Sequence, residues 1–421
     1  MTITLTPAPL SGSVTVLSSK SHVHRLLICA ALADKPTTIR FDNTSEDIEA
    51  TTACLRALGA QIDVFDGGAT VTPVCRGELR SPVDAQCARL LDSGESGSTL
   101  RFLIPVAAGL STGATFIGRG KLMERPTTPV YDELITRTNG TFVISKQLQP
   151  GTFTIPGNIS SQFYSGLLFI LPILDGDSEI IVDGALESLP YVDLTLDCIR
   201  MFGVKIDFGG TKFVIPGNQK YISPDTIIAE GDWSNAAFWL CAGAIGNKEI
   251  ALHGMNLKSV QGDMGILDIL RRMGAHIDAR EDEILVSRDY LQGIEVDATD
   301  IPDLIPVVAT TASVAKGTTV IKNAARLRFK ESDRLATTCA MLSAMGADIR
   351  ETEDGLIING VEQLTGGETD SYMDHRIAMA AAVAAVVSTG EVKITGAHAV
   401  RKSYPTFWDE YVKLGGKVTK S

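Results

Sequence analysis

The sequence predicts an α/β protein built from six copies of one unit, each of two helices and about four strands, divided three and three between two domains. Three observations predict this. A short phrase of helix end, glycine and strand start recurs as "LRALGAQIDV", "ITRTNGTFVI", "IRMFGVKIDF", "LRRMGAHIDA", "LSAMGADIRE" and "YVKLGGKVTK". Its glycines (Gly59, Gly140, Gly203, Gly274, Gly346 and Gly415) stand 81, 63, 71, 72 and 69 residues apart, so six units account for almost all 421 residues. About 38 to 43 residues before each glycine stands a second kind of helix, polar only at its start. Between the helices lie short β-like segments such as "TVTPV", "EIIVDG", "EILVS" and "GLIING".

The outer helix of each unit is the one its glycine ends. In "SEDIEATTACLRALG" a serine caps the start, acids fill the first turn, apolar residues recur at helical spacing and glycine serves as the C-cap. The six inner helices open at "KSHVHRLLICAALA", "SGSTLRFLIPVAAG", "SSQFYSGLLFILPIL", "WSNAAFWLCAGAI", "IPDLIPVVATTASVA" and "DHRIAMAAAVAAVV". A helix apolar all round is buried all round, so each is expected to be wrapped by sheets and outer helices, with its first turn accessible. The segment "PGNQKYISPDTIIAEGDWS" (216 to 234), rich in turn residues, is the expected domain junction.

Composition narrows the function classes. The apolar share of 44% fits a large buried core, and the longest apolar runs, such as "IAMAAAVAAVV", are about half the roughly 20 residues of a membrane span. The opening "MTITLTPAPLSG" lacks a basic segment leading into an apolar block, so no secretory or transit signal is expected. Cysteines 29, 54, 75, 87, 198, 241 and 339 are scattered without a CxxC pair, which fits reduced thiols in a cytoplasmic protein. A net charge of -12 argues against a general nucleic-acid binder.

Helix N-termini carry partial positive charge, which makes lysine and arginine unfavourable there. Several helices break this rule: Lys20 and Arg25 flank the first inner helix, Arg101 sits in the second, and His375 and Arg376 open the sixth. The outer helix "FKESDRLATTCAMLSAMG" starts with Lys330 and Arg334, four residues apart, a like-charge pair that costs stability unless an anion bridges it. Converging starts of this kind would place oriented N–H groups, hydroxyls and fixed cations around a strongly anionic ligand. Taken alone, "KSHVHR" reads as a serine-capped helix, "SSQ" as an ordinary N-cap and Asp303 as an acid complementing a dipole. Repetition across units favours the functional reading of "KSHVHR", while "SSQ" is open to both readings and Asp303, on its own, fits the dipole reading better.

The stretch "GESGSTLR" (94 to 101) lacks the Gly-x-Ser-x-Gly of a nucleophile elbow and the Gly-Lys-Ser/Thr ending of a phosphate loop. Neither HExxH nor a paired His/Cys metal pattern occurs. The site is therefore expected to use no metal and no cofactor.

Together and in this order, "KSHVHR", "SGESGSTLRF", "KLMERP", "SSQF", "SLPYVD", "IPDLIP", "FKESDRL", "DHRIAM" and "RKSYPTFW" resemble the EPSP synthase family of enolpyruvyl transferases. The resemblance covers residues 20 to 408. It implies a two-domain inside-out α/β barrel of six βαβαββ-type units, with one domain at 20–230 and the other at 1–19 plus 231–421. The cleft would lie between them, with hinges near 18–20 and 229–233. The implied reaction joins phosphoenolpyruvate to the 5-hydroxyl of shikimate 3-phosphate and releases phosphate. Its implied catalytic residues are Asp303, toward the hydroxyl, and Glu331 with Lys20, toward the methylene and phosphate ends. Shikimate 3-phosphate would lie among Lys20, Ser21, Arg25, Ser160, Ser161, Gln162, Ser188, Tyr191, Asp303 and Lys330. Phosphoenolpyruvate would lie among Lys20, Gly97, Arg125, Gln162, Arg334, His375, Arg376 and Lys402. Both are small-molecule substrates, and a monomer is expected.

Three positions depart from the family pattern: Glu95 stands where many members have asparagine, Phe102 where some have proline and Arg326 where some have asparagine. Gly97 keeps the small residue associated with glyphosate binding beside phosphoenolpyruvate. The related family that transfers enolpyruvyl to UDP-N-acetylglucosamine usually carries a cysteine in the loop spanning Thr112 to Arg125, and none occurs here. A six-unit DNA sliding clamp would need basic helices, whereas the long helices here are apolar.

Overall fold

The computed structural model describes residues 1–42, 44–74, 89–110 and 114–420. Cys75, Cys87 and the first residues of the loop beginning at Thr112 lie outside the described residues. The described strands form six sheets of four, all on one plan. In the second unit, Leu90–Asp92 runs parallel to Thr115–Ile117, which pairs antiparallel with Thr141–Ile144, itself paired antiparallel with Ile135–Thr138. A parallel pair needs a crossover, and the inner helix Gly97–Leu110 supplies it. The order along the chain is therefore βαβαββ, as expected.

Each sheet alternates inward and outward side chains. In Lys212–Ile215, Phe213 and Ile215 are buried while Lys212 and Val214 face out. The inner helices are buried nearly all round: every residue of Trp233–Ile245, Ile305–Ala312 and His375–Ala385 is buried. This is the environment that apolar sequence on every face of a helix demands.

The chain divides into two compact units, Ser18–Ala229, and Met1–Leu17 with Glu230–Ser421. Each has its own continuous hydrophobic core. Both are completed by strands distant in sequence. Thr226–Ile228 lies parallel to Thr37–Arg40 and completes the first sheet. In the other unit, Gly12–Thr15 lies parallel to Ile250–His253, and Ile3–Thr6 sits between Val392–Thr395 and Lys417–Lys420.

Five of the six repeat glycines follow an outer helix, with φ between +76° at Gly203 and +107° at Gly59, the left-handed conformation expected of a helix-ending glycine. Gly140 does not. It forms a tight turn with Asn139, φ 49° and 74°, between Ile135–Thr138 and Thr141–Ile144. Asn-Gly is the preferred pair for such a two-residue hairpin. The outer helix of this unit is the short Pro129–Asp132, which ends seven residues before Gly140 at its C-cap, Glu133. Placing the unit's reference there evens out the two irregular intervals of 81 and 63 residues. No helix among the described residues is long and apolar enough to cross a membrane.

Candidate active site

In the unit Ser18–Ala229, Ser19 caps the helix Lys20–Ala31 by accepting from the N–H of His22 at 3.3 Å. Lys20 occupies the first helical position, where the dipole opposes its charge, and Asp47 at 2.8 Å offsets it. Arg25 lies one turn further in and is 2% exposed. Its Nε donates to Thr195 Oγ1 at 2.8 Å, Nη1 to the Ser21 carbonyl at 2.7 Å and Nη2 to the Tyr191 carbonyl at 2.9 Å, and it stands over the Phe102 ring. Burial lowers its pKa to about 10. A buried guanidinium held by neutral oxygens is stabilised further by any anion placed beside it.

"GESGSTLR" provides the start of the second inner helix. Ser96 caps it, accepting from the N–H of Thr99 at 3.2 Å. At Gly97, a Cβ would stand 2.9 Å from Arg125 Nη1, 3.3 Å from Arg101 Nη1 and 3.7 Å from Gln162 Oε1. Only glycine lets those three polar groups close on the backbone here. Arg101 Nη1 donates to Gln162 Oε1, and Gln162 Nε2 to Ser98 Oγ, both at 2.8 Å. Ser160 and Ser161 precede Gln162, and the Ser161 hydroxyl makes no capping bond although it stands at the N-cap. Ser188, before Leu189–Met201, is held at φ 56° and ψ 38°. A left-handed serine costs on the order of 1–3 kcal/mol, a strain common in ligand-contacting backbone.

In the other unit the helix starts supply both carboxylates and cations. Asp374 caps His375–Ala385, accepting from the N–H of Arg376 at 2.9 Å. Arg334 is 1% exposed and bonds to three carboxylates: Asp303 Oδ1 at 2.7 Å, Glu331 Oε2 at 2.7 Å and Asp374 Oδ2 at 2.8 Å. Arg376 reaches Asp303 Oδ2 at 3.0 Å and the oxygens of Ser234 at 2.8 and 3.1 Å. Lys330 Nζ is 3.8 Å from Asp303 Oδ1. Contrary to expectation, Lys330 is not on the helix: Asp333 caps Arg334–Ala344, and Lys330 ends the preceding 3-10 turn in extended backbone, so the two cations meet through the chain's own Asp303. Burial would raise the Asp303 pKa, but Arg376, Lys330 and Arg334 outweigh it and hold the carboxyl well below the usual carboxylate range. Burial pushes the Lys330 ammonium down to about 8, with Asp303 opposing and Arg334 adding to the effect. His375 Nδ1 lies 3.9 Å from Asp374 Oδ1, and Lys402 Nζ donates to the Met373 carbonyl at 2.6 Å.

Within each unit the structure links several of the sequence-derived residues. Lys20, Ser21, Arg25 and Tyr191 connect through Thr195 and Ser165 to the helix that Gln162 opens. Gly97, Arg125 and Gln162 meet directly. Asp303, Lys330, Glu331, Arg334 and Arg376 form one network. Sequence reasoning missed the partners of these residues: Asp47 and Thr195 in Ser18–Ala229, and Ser234 and Asp374 in the other unit. Asp374 offered a signal, an acid immediately before His-Arg at a helix start. The other three pair across distances that no local pattern shows.

These arrangements occur in a chain whose residues 5–411 match the family model for EPSP synthase (3-phosphoshikimate 1-carboxyvinyltransferase). The chain belongs to the EPSP synthase family. It is 43% identical over 425 residues to the 3-phosphoshikimate 1-carboxyvinyltransferase of Clostridium kluyveri, covering 99% of this chain and 98% of the relative. It is 40% identical over 430 residues to that of Brachyspira hyodysenteriae, covering 99% and 100%. Among solved structures, an EPSP synthase from Acinetobacter baumannii superposes with a TM-score of 0.81 at 26% identity over the whole of both chains. The enolpyruvyl transferase NikO from Streptomyces tendae shares the fold, with a TM-score of 0.74 at 20% identity over 99% and 98% of the chains.

Proposed function

We propose that the protein transfers the enolpyruvyl group of phosphoenolpyruvate to the 5-hydroxyl of shikimate 3-phosphate and releases phosphate, a step of the shikimate pathway toward chorismate. Family membership over nearly the whole chain supports the reaction. The observation that carries the chemistry is Asp303, a carboxylate kept ionised by Arg334 and Arg376, each in the first turn of a helix, and by Lys330, which precedes the Arg334 helix.

In this reading the hydroxyl loses its proton to Asp303 while its oxygen bonds to C2 of phosphoenolpyruvate, and the methylene carbon gains a proton to give a tetrahedral adduct. The adduct then loses a methyl proton and its C–O bond to phosphate breaks. Glu331 and Lys20 serve the methylene and phosphate ends, which need groups of both protonation states. Asp303 is a weak base while two guanidinium groups hold it. An incoming carboxylate and phosphate compete for Arg334 and Arg376, loosen their hold and raise its proton affinity as the hydroxyl arrives. Arg125, Arg334, Arg376 and Lys402 stabilise the departing phosphate. The free thiols of Cys29, Cys54, Cys198, Cys241 and Cys339 support a reducing, cytoplasmic setting.

The test is phosphate release from phosphoenolpyruvate with shikimate 3-phosphate, run beside UDP-N-acetylglucosamine as acceptor. Turnover with shikimate 3-phosphate alone is expected. Turnover only with UDP-N-acetylglucosamine overturns the reading.

A further inference from the structure

Glu95 places an acid two residues from Gly97, in the stretch read as an anion site. A Cβ built on Gly120 would stand 3.3 Å from Glu95 Cδ, 3.3 Å from Oε1 and 3.6 Å from Oε2, so the carboxylate lies close against Gly120. Gly120 lies in the segment from Gly118 to Arg125, which carries Arg119, Lys121 and Arg125.

The same two segments are tied by their backbones. The N–H of Ser93 donates to the Ile117 carbonyl at 2.9 Å, and the N–H of Arg119 to the Gly94 carbonyl at 2.6 Å. Asp92 adds to the tie, accepting from the N–H of Gly94 at 2.8 Å and from Arg119 Nη2 at 3.0 Å. These bonds end at Arg119. Beyond it only a short 3-10 turn, Leu122–Glu124, separates Gly120 from Arg125, whose guanidinium meets Gly97. Glu95 stands where the ladder stops and the functional loop begins.

We propose that Glu95 is a positioning residue: its carboxylate, seated against Gly120, fixes the 120–125 loop so that the Arg125 guanidinium is held at Gly97 for the anionic substrate. The acid beside the anion site thus acts on the loop that delivers the cation. The glycine at 120 belongs to the same device, because a methyl group there would crowd the carboxylate and shift its seat. In its effect on phosphoenolpyruvate the inference rests on the function proposed above, while its structural claim does not.

The experiment is a double-mutant cycle of Glu95→Ala and Gly120→Ala in the full chain, with Glu95→Gln alongside. Trypsin gives a readout independent of activity, since Arg119 and Lys121 are exposed. Glu95→Ala is expected to speed cleavage at those two bonds about tenfold while the midpoint of thermal unfolding stays within about 2 °C, because the change is confined to one loop. It is also expected to raise KM for phosphoenolpyruvate about tenfold, with kcat and KM for shikimate 3-phosphate little changed. Glu95→Gln, which fills the same space, should behave as the parent. Gly120→Ala should be markedly less damaging in the Glu95→Ala background than alone, because its φ of +57° is equally unfavourable in both backgrounds and cancels from the cycle. Unchanged cleavage in Glu95→Ala, strict additivity of the two alanines, or a Gln variant as impaired as the Ala variant each overturns the proposal. Faster cleavage in a protein that does not turn over the two substrates leaves the positioning role standing and overturns the function reading instead.

Discussion

Asp303 answers to three cations and, in the reaction proposed above, accepts one proton, and the balance between those demands sets what its replacement should do. Asp303→Asn removes the charge that Arg334, Arg376 and Lys330 share but leaves Arg334 with Glu331 and Asp374. Breaking one side of a buried network costs about 3–5 kcal/mol, and because Asp303 keeps some exposure and Arg334 keeps two partners, about 2 kcal/mol is expected here, measured by urea unfolding. Turnover should fall by at least about 100-fold. The depressed pKa of Asp303 stabilises the fold above its unfolded value near about 4, and that stabilisation disappears as pH falls through the lower folded value. Lys330 has the opposite sign. Its folded pKa of about 8 lies below its ordinary value of 10.5, so between those values the unfolded chain binds more protons and this group's contribution to stability rises with pH. Its use to the site runs the other way, since the ammonium is lost above pH 8. A fall in kcat/KM for shikimate 3-phosphate above about pH 8, abolished in Lys330→Arg, is the expected profile. A parent profile flat to pH 9.5 removes Lys330 from substrate binding.

At the scale of elements, the inner helices work because they pack tightly enough to fix their first turns. Gly166 shows how tightly. A Cβ there would stand 2.5 Å from the Arg101 carbonyl and 2.9 Å from Pro105 Cγ, and would collide with the Tyr131 hydroxyl, which donates to the Arg101 and Phe163 carbonyls. Gly166→Ala should therefore destabilise the unit by about 2 kcal/mol and disturb the Arg101 and Gln162 pair, seen as a lower unfolding midpoint together with a higher KM for phosphoenolpyruvate. Much of this level was legible in the sequence. Six apolar helices and five helix-ending glycines follow from composition and local conformation, which one stretch of chain determines by itself. Gly140 was misplaced because "ITRTNGT" matches the repeat at its glycine, while the Asn-Gly pair and the flanking β-branched Ile135, Thr136 and Thr138 already signalled a hairpin. The partnership of Lys20 with Asp47 and of Arg376 with Ser234 was not legible, because the fold alone determines which helix starts come together. Charges that break the dipole rule drew attention to these helix starts without revealing what balances them.

The whole molecule is two units of unequal continuity. Ser18–Ala229 contains every strand of its three sheets, whereas Glu230–Ser421 lacks two until residues 3–15 return to it. A fragment of residues 18–229 should unfold cooperatively on its own in urea. A fragment of residues 230–421 should lack a cooperative transition and regain one when residues 1–17 are joined to it through a flexible linker. Cooperative unfolding of the bare 230–421 fragment would show that the two borrowed strands are dispensable. The same interleaving separates the folding of the two units in time during synthesis. Ile3–Thr6 is made nearly the whole chain before its neighbours Val392–Thr395 and Lys417–Lys420, a delay on the order of 20–80 seconds at about 5–20 residues per second. Ser18–Ala229 can be finished on the ribosome, but the earliest strands must wait beside it without a sheet. A nascent chain in that interval presents unpaired strand edges to whatever else is nearby, so this protein's solubility on overproduction should depend on chaperone supply far more than the stability of its finished fold suggests.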